Sequence, residues 1–259
     1  MKLDGNTILI TGGTSGIGLE SAKEFLKRSN TVIITGRDQE RLARVKNELP
    51  QLYTIQSDVS RFEDIDALFA RVSKEFPALN ILMNNAGVMR TINLHDEGQS
   101  LEELTREIDT NFKGPVWMVK RFLPHLKRMP TAAIINVSSG LAFVPLPSSP
   151  VYCATKAAMN SFSRSLRVQL KNTKVKVFEL APPATETALF DAKSPDLEGV
   201  TLMKVDDLVR RFLKGLERDQ LEIRPGQANS LKFMNRMAPE FILGQLSKPM
   251  DRMLEKSSS

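Results

Sequence analysis

A tyrosine and a lysine four residues apart, Tyr152 and Lys156 in the run Tyr152-Cys153-Ala154-Thr155-Lys156, share one face if that stretch is helical. Such a pair can move a proton. A free phenol titrates near pH ~10 and is a poor acid–base catalyst at neutrality, but a cation held beside it favours the phenolate and lowers its pKa. In isolation the same spacing describes two surface side chains equally well. Its meaning depends on what else stands at the right distance.

The second chemistry-bearing run is Thr11-Gly12-Gly13-Thr14-Ser15-Gly16-Ile17-Gly18, which follows an apolar β-branched segment and precedes a helical pattern through Glu20, Ala22, Phe25 and Leu26. A dinucleotide fits there. Gly12 permits a tight turn, Gly16 lets backbone approach a pyrophosphate, Gly18 allows close packing, and the helix N-terminus favours the negative charge. Further on, Thr35-Gly36-Arg37-Asp38 places glycine where NAD binders commonly carry an acid for the ribose 2'-hydroxyl. Arg37 offers a forked, permanently charged donor set suited to a 2'-phosphate, so NADP(H) is the expected cofactor. Asp38 reads as the N-cap of a helix beginning near Gln39.

The elements that must position these groups are legible as an alternation. Short apolar runs at Thr7–Thr11, Thr31–Thr35, Leu52–Gln56, Ile81–Met83, Ala132–Val137, Val175–Leu180 and Leu221–Ile223 read as strands, with longer helical patterns between them. Near-continuous apolar strands imply a parallel sheet covered on both faces: an α/β, Rossmann-like, doubly wound fold of about seven strands in one domain. Ser60 with Glu63 and Ser100 with Glu103 read as capping boxes. The stretch 183–204, rich in small and turn residues, reads as a lid loop within the catalytic and cofactor-binding portion, 1–226. Residues 227–259 form an apolar helical tail bearing Phe233, Met234, Met237, Phe241, Ile242, Leu243, Leu246 and Met250, read as core or subunit contact rather than substrate or membrane contact.

Composition narrows the class. The chain has 259 residues and a net charge of +6, but basic and acidic residues are interleaved at helical spacing, which argues against a nucleic-acid patch. The lone Cys153 excludes an intrachain disulfide, no Cys/His cluster suggests a metal, and the default compartment is the cytoplasm. The N-terminus has no signal-peptide pattern, and no apolar run is long enough to span a bilayer.

With the Gly12-x-x-x-Gly16-x-Gly18 loop, Asn84-Asn85-Ala86-Gly87, Asn111, Ser139 thirteen residues before the tyrosine, and Tyr152-x-x-x-Lys156, the sequence resembles the short-chain dehydrogenase/reductase family from about Leu3 to Thr187. Within it, Lys2 to Glu20 and Ala238 to Leu246 look most like a bacterial branch associated with the D-alanyl-lipoteichoic-acid operon. The resemblance implies a catalytic tetrad of Asn111, Ser139, Tyr152 and Lys156, in which Lys156 lowers the Tyr152 pKa. It implies cofactor contacts from Gly12, Thr14, Ser15, Gly16, Ile17, Gly18, Arg37, Asp58, Val59, Asn85, Ala86, Gly87, Tyr152, Lys156, Pro182 and Thr187. The expected reaction interconverts a carbonyl and an alcohol with NADP(H), and Leu141, Phe143, Val144, Leu146, Met89, Leu189 and Phe190 suggest an apolar small-molecule substrate or else core packing. Pro183 stands where the family often has glycine, which stiffens the start of the lid and weakens the assignment of Thr187. The family's glycine-rich ending is absent, so a homodimer is expected, with a tetramer as the alternative. A non-catalytic NADP-responsive binding protein is the competing reading, and the loop spacing disfavours a sugar-nucleotide epimerase or dehydratase.

Overall fold

The computed structural model describes residues 1–189 and 201–257. Seven strands, β1 (Thr7–Thr11), β2 (Thr31–Gly36), β3 (Tyr53–Gln56), β4 (Leu79–Asn84), β5 (Ala132–Val137), β6 (Val175–Leu180) and β7 (Glu222–Ile223), form one parallel sheet in the order β3-β2-β1-β4-β5-β6-β7. Most of the strands are buried on both faces, because alternate side chains feed two separate cores. Ile8, Ile10, Val32, Ile34, Ile81 and Ile135 pack beneath α1 (Gly16–Leu26), α2 (Gln39–Glu48) and α7 (Val205–Glu217). Leu9, Ile33, Leu82 and Ile134 pack on the opposite side with α3 (Phe62–Glu75), α5 (Gly114–Leu126) and α6 (Pro150–Gln169). This is the doubly wound architecture expected of continuous apolar strands.

Because β1 lies between β2 and β4, successive connections leave β1 and β4 toward opposite sides, and a crevice opens beyond their carboxyl ends. That crevice positions the site. Helix α4 (Leu101–Ile108) runs into a π-type turn at Asp109–Lys113 and continues as α5, so Asn111 sits on a widened turn rather than a regular helix. Ser100 caps α4, its hydroxyl accepting from Glu103 N at 3.2 Å, but the Glu103 carboxylate turns to Arg90 and Arg106, so only half of that box forms; Asp38 caps α2 by accepting from Arg41 N at 3.1 Å.

The Ser60 capping box does not form. Helix α3 begins at Phe62 with no side-chain cap, because Asp58 captures Ser60: its carboxylate accepts from both the backbone N and the hydroxyl of Ser60. The tail forms two helices, α8 (Gln227–Met237) and α9 (Pro239–Ser257). Of the lid stretch, residues 190–200, Phe190 among them, lie outside the described residues; its two ends meet through a parallel bridge between Thr185 and Met203. Among the described residues no helix is long and apolar enough to cross a membrane.

Candidate active site

The crevice is a cleft of about 480 Å³. At one end the turn after β1 meets the segment after β4. Asn85 Nδ2 donates to the carbonyls of Thr11 and Gly12 at 3.0 Å each, and Thr11 Oγ1 accepts from the N–H groups of Asn85 and Ala86 at 3.0 and 3.1 Å. Two glycines are required by that proximity. Gly12 has φ +64° and a Cβ there would lie 2.8 Å from Ala86 Cα, while a Cβ on Gly18 would meet Gly12 O at 2.4 Å. Gly18 thus packs α1 against the turn, behind the cleft wall that Thr14, Ser15, Gly16 and Ile17 line. Ser15 makes no side-chain cap on α1 and the first turn carries no acid, so that helix end is suited to an anion.

At the β2 end, Arg37 and Arg41 both border the cleft, with Asp58 and Val59 beside them. Arg41 Nε pairs with Asp38 at 3.2 Å, whereas among the described residues Arg37 makes no ion pair. A side chain at position 36 would crowd Thr14, the Cβ lying 3.1 Å from Thr14 Cγ2, so glycine leaves room on the arginine side. Arg41 is a cleft-lining residue that the sequence reading omitted. Its signal is its place on the first turn of α2, three residues after the cap.

At the other end, Ser139 closes β5, and Tyr152 and Lys156 project from the first turns of α6; all are buried. Lys156 Nζ donates to Val137 O at 3.0 Å and lies 5.6 Å from the Tyr152 ring centroid. Asn111 does not line the cleft. Its side-chain amide accepts from Val88 N and donates to Val88 O, both at 2.8 Å, and donates to Thr155 Oγ1 at 3.2 Å. It therefore fixes the Gly87–Val88 segment to α6, and a Cβ on Gly87 would lie 3.4 Å from Asn111 Oδ1 and 3.5 Å from Lys156 Nζ. Ala86, Gly87, Pro182 and Thr187 border the cleft. Pro182 O also accepts from Gly140 N at 2.7 Å, tying the lid's first residues to the Ser139 turn.

Burial governs the electrostatics. It raises the Tyr152 pKa well above the ordinary phenol value, with hydrogen bonding to Ser139 pulling the other way. It also lowers Lys156 to about 8. The expected lowering of Tyr152 by Lys156 is therefore overridden in the protein alone: removing two neighbouring groups from water keeps both nearer neutrality. Glu107 on α4, likewise unforeseen, is fully buried, and among the described residues neither carboxylate oxygen has a side-chain hydrogen-bond partner. Burial raises its pKa, and its proximity pushes Tyr152 further upward. The only hint in the chain is an acid four residues before Asn111.

Around Tyr152 and Cys153 the walls are apolar: Leu146 is buried there, and Met89, Leu141, Leu189 and Leu246 pack against the cluster. Cys153 is a buried thiol raised to about 11 by desolvation, in keeping with a packing role. His125 is buried, and its Nε2 lies 3.0 Å from Leu79 O.

Comparison with known proteins agrees with this geometry. Residues 6–198 match the family described as short chain dehydrogenase. The oxidoreductase DltE of Bacillus subtilis (strain 168) is 44% identical over 249 residues, covering 95% of this chain and 98% of that protein, in line with the branch resemblance. The NADP-dependent 3-hydroxy acid dehydrogenase YdfG of Escherichia coli O6:H1 is 37% identical over 176 residues, covering 68% of this chain and 71% of its own. A short chain dehydrogenase from Burkholderia cenocepacia J2315, solved in complex with NADP, superposes with a TM-score of 0.80 at 26% identity, covering 95% of this chain and 99% of that one. The chain belongs to the short-chain dehydrogenase family.

Proposed function

We propose that the protein is an NADP(H)-dependent oxidoreductase that interconverts an apolar ketone or aldehyde and the corresponding alcohol. The observation that carries this reading is a single cleft with an uncapped helix end and Arg37 at one extremity and Ser139, Tyr152 and Lys156 at the other. The names of YdfG and of the Burkholderia cenocepacia complex support NADP as the cofactor. The residues present fit that group: the glycine turn has no room for side chains, and Arg37 has no competing carboxylate among the described residues.

Arg37 would hold a 2'-phosphate, the N–H groups of α1 the pyrophosphate, and Lys156 the nicotinamide ribose. Thr187 would take the carboxamide. Bound there, the nicotinamide supplies or accepts the hydride. Ser139 orients the carbonyl oxygen and Tyr152 gives it a proton; in the oxidative direction Tyr152 takes that proton back. A Tyr152 kept protonated by burial is the acid that reduction requires. Lys156, released from Val137 O toward ligand, would then offset the burial and ease the return of the proton. Asn111 positions Gly87 and Val88 beside Lys156.

An NADPH oxidation screen over apolar ketones, aldehydes, hydroxysteroids, keto esters and 3-oxo acids, repeated with NADH, tests the reading. Turnover is expected with NADPH and at least one carbonyl, and Tyr152→Phe should lower kcat by ~100- to 10,000-fold while NADPH binding persists. Retained turnover in that variant would sink the acid–base role. NADPH binding without turnover anywhere on the panel would favour a binding protein.

A further inference from the structure

The face of α6 that carries Tyr152 and Lys156 continues as a polar stripe through Asn160, Ser163 and Arg167 at helical spacing. From Lys156 onward each member is bonded to the sheet. Lys156 reaches Val137 O at 3.0 Å, Ser163 Oγ accepts from the Asn136 amide at 2.9 Å, and Arg167 Nε donates to Val177 O at 2.9 Å. Asn160 meets an acid, Glu179 on β6, the register partner of Asn136 on β5. Glu179 is 1% exposed, in a strand whose other buried positions are all apolar.

A carboxylate taken out of water is costly unless donors surround it, and here they do. Ser138 Oγ donates to Oε1 at 2.6 Å, Asn160 Nδ2 lies 2.8 Å from both oxygens, and Arg167 Nη2 is 4.0 Å from Oε2. The two closest donors belong to two halves of the catalytic end. Ser138 precedes Ser139, which is hydrogen-bonded to Tyr152, and Asn160 stands one turn beyond Lys156. Among the described residues, only the Glu179 side chain bonds both α6 and Ser138.

We propose that Glu179 is a positioning residue: its carboxylate fixes the turn after β5 against α6 and so sets the separation of the Ser139 hydroxyl from the Tyr152 phenol. Lys156, Ser163 and Arg167 would still hold the helix on the sheet without it, but the Ser139 turn would lose its tie to the helix. The inference rests on the carbonyl-reducing reading of the cleft and adds a residue that acts on the chemistry through Ser138 and Asn160.

Glu179→Leu tests it through two readouts. With NADPH and the best carbonyl of the panel, kcat should fall ~10- to 100-fold while KM and NADPH affinity stay within a few-fold of wild type, the mark of misplaced groups rather than lost binding. The second readout needs no turnover. In a Tyr53→Phe background Tyr152 is the sole tyrosine, and the NMR resonance of its isotope-labelled Cζ reports the hydrogen bonding of the phenol. Glu179→Leu should move that resonance toward its position in Ser139→Ala. Glu179→Gln should restore both readouts, because its carbonyl accepts from Ser138 and its amide donates to Asn160 once that amide turns over. Ser138→Ala, a milder change should the leucine variant not fold, should reproduce both effects in part and add nothing to Glu179→Leu. Val72→Ala, a core truncation on α3, supplies the comparison for stability loss alone and should leave kcat and the resonance unchanged. Wild-type kcat in Glu179→Leu, an unmoved resonance, or an equal kcat loss in Val72→Ala overturns the proposal. If the wild type reduces no carbonyl, the reading of the cleft fails, and the resonance alone decides whether Glu179 positions Ser139.

Discussion

At the glycine-turn end of the cleft, main chain is held against main chain: Asn85 spans the carbonyls of Thr11 and Gly12, and Gly12 approaches Ala86 with no space for a methyl group. At the Tyr152 end the walls are side chains contributed by remote elements, Met89 after β4, Leu141 and Leu146 after β5, Leu189 from the first part of the lid stretch and Leu246 from α9. The first kind of wall tolerates almost no substitution, which suits it to holding one constant ligand part. The second can be recut residue by residue, which suits it to setting which substrate enters.

The sharpest way to break that contrast is Gly12→Val. A branched side chain at φ +64°, with its Cβ 2.8 Å from Ala86 Cα, should reduce NADPH affinity by ~100-fold or more and lower the melting temperature, measured by fluorescence titration and thermal unfolding. Near-normal binding would mean that the turn is more plastic than its packing indicates. Next comes Arg37→Ala, expected to weaken NADPH by ~10- to 100-fold and NADH hardly at all, the worth of a charge-assisted contact to phosphate. An equal loss for both cofactors would make Arg37 structural, and a small loss for NADPH would shift the role to Arg41.

Lys156→Met addresses the seam between the two ends through pH. In the folded chain Lys156 titrates at about 8, below its ordinary 10.5, so below pH 8 the fold bears the full cost of the buried cation. Between those values only the unfolded chain keeps the proton and the cost fades. The methionine variant should therefore be the more stable at pH 7, and its advantage should shrink toward pH 10 in denaturant titrations. A constant difference across that range would refute the burial account. The smallest effect is expected from Leu246→Ala: a few-fold change in KM among ketones of different bulk with NADPH affinity unchanged. A fall in NADPH affinity instead would show that the two ends are not separable.

The contrast also explains what could be read from the chain. Main-chain machinery leaves compositional marks: glycines at fixed offsets, β-branched runs for strands, and Ser100 or Asp38 ahead of a helix. Strand limits came within two residues of the observed ones because both-face burial demands unbroken apolar runs. The Ser60 box misled because a nearer acceptor, Asp58, takes the Ser60 backbone N–H that Glu63 would have accepted from, and spacing alone does not rank acceptors. Burial of Glu107 and the inward turn of Leu246 depend on how α4 and α9 lie against α6, which no local pattern encodes. The opposing effect of desolvation on Tyr152 was likewise invisible, since neighbours can be guessed from spacing but solvent cannot.

The widened turn at Asp109–Lys113 carries one more implication. It acts as a one-residue phase slip in an otherwise continuous rod, rotating everything before it by roughly 100° relative to everything after it. Glu107 and Met118 therefore obey two different helical registers, and a periodicity drawn straight through Asn111 would assign the wrong face to one of them.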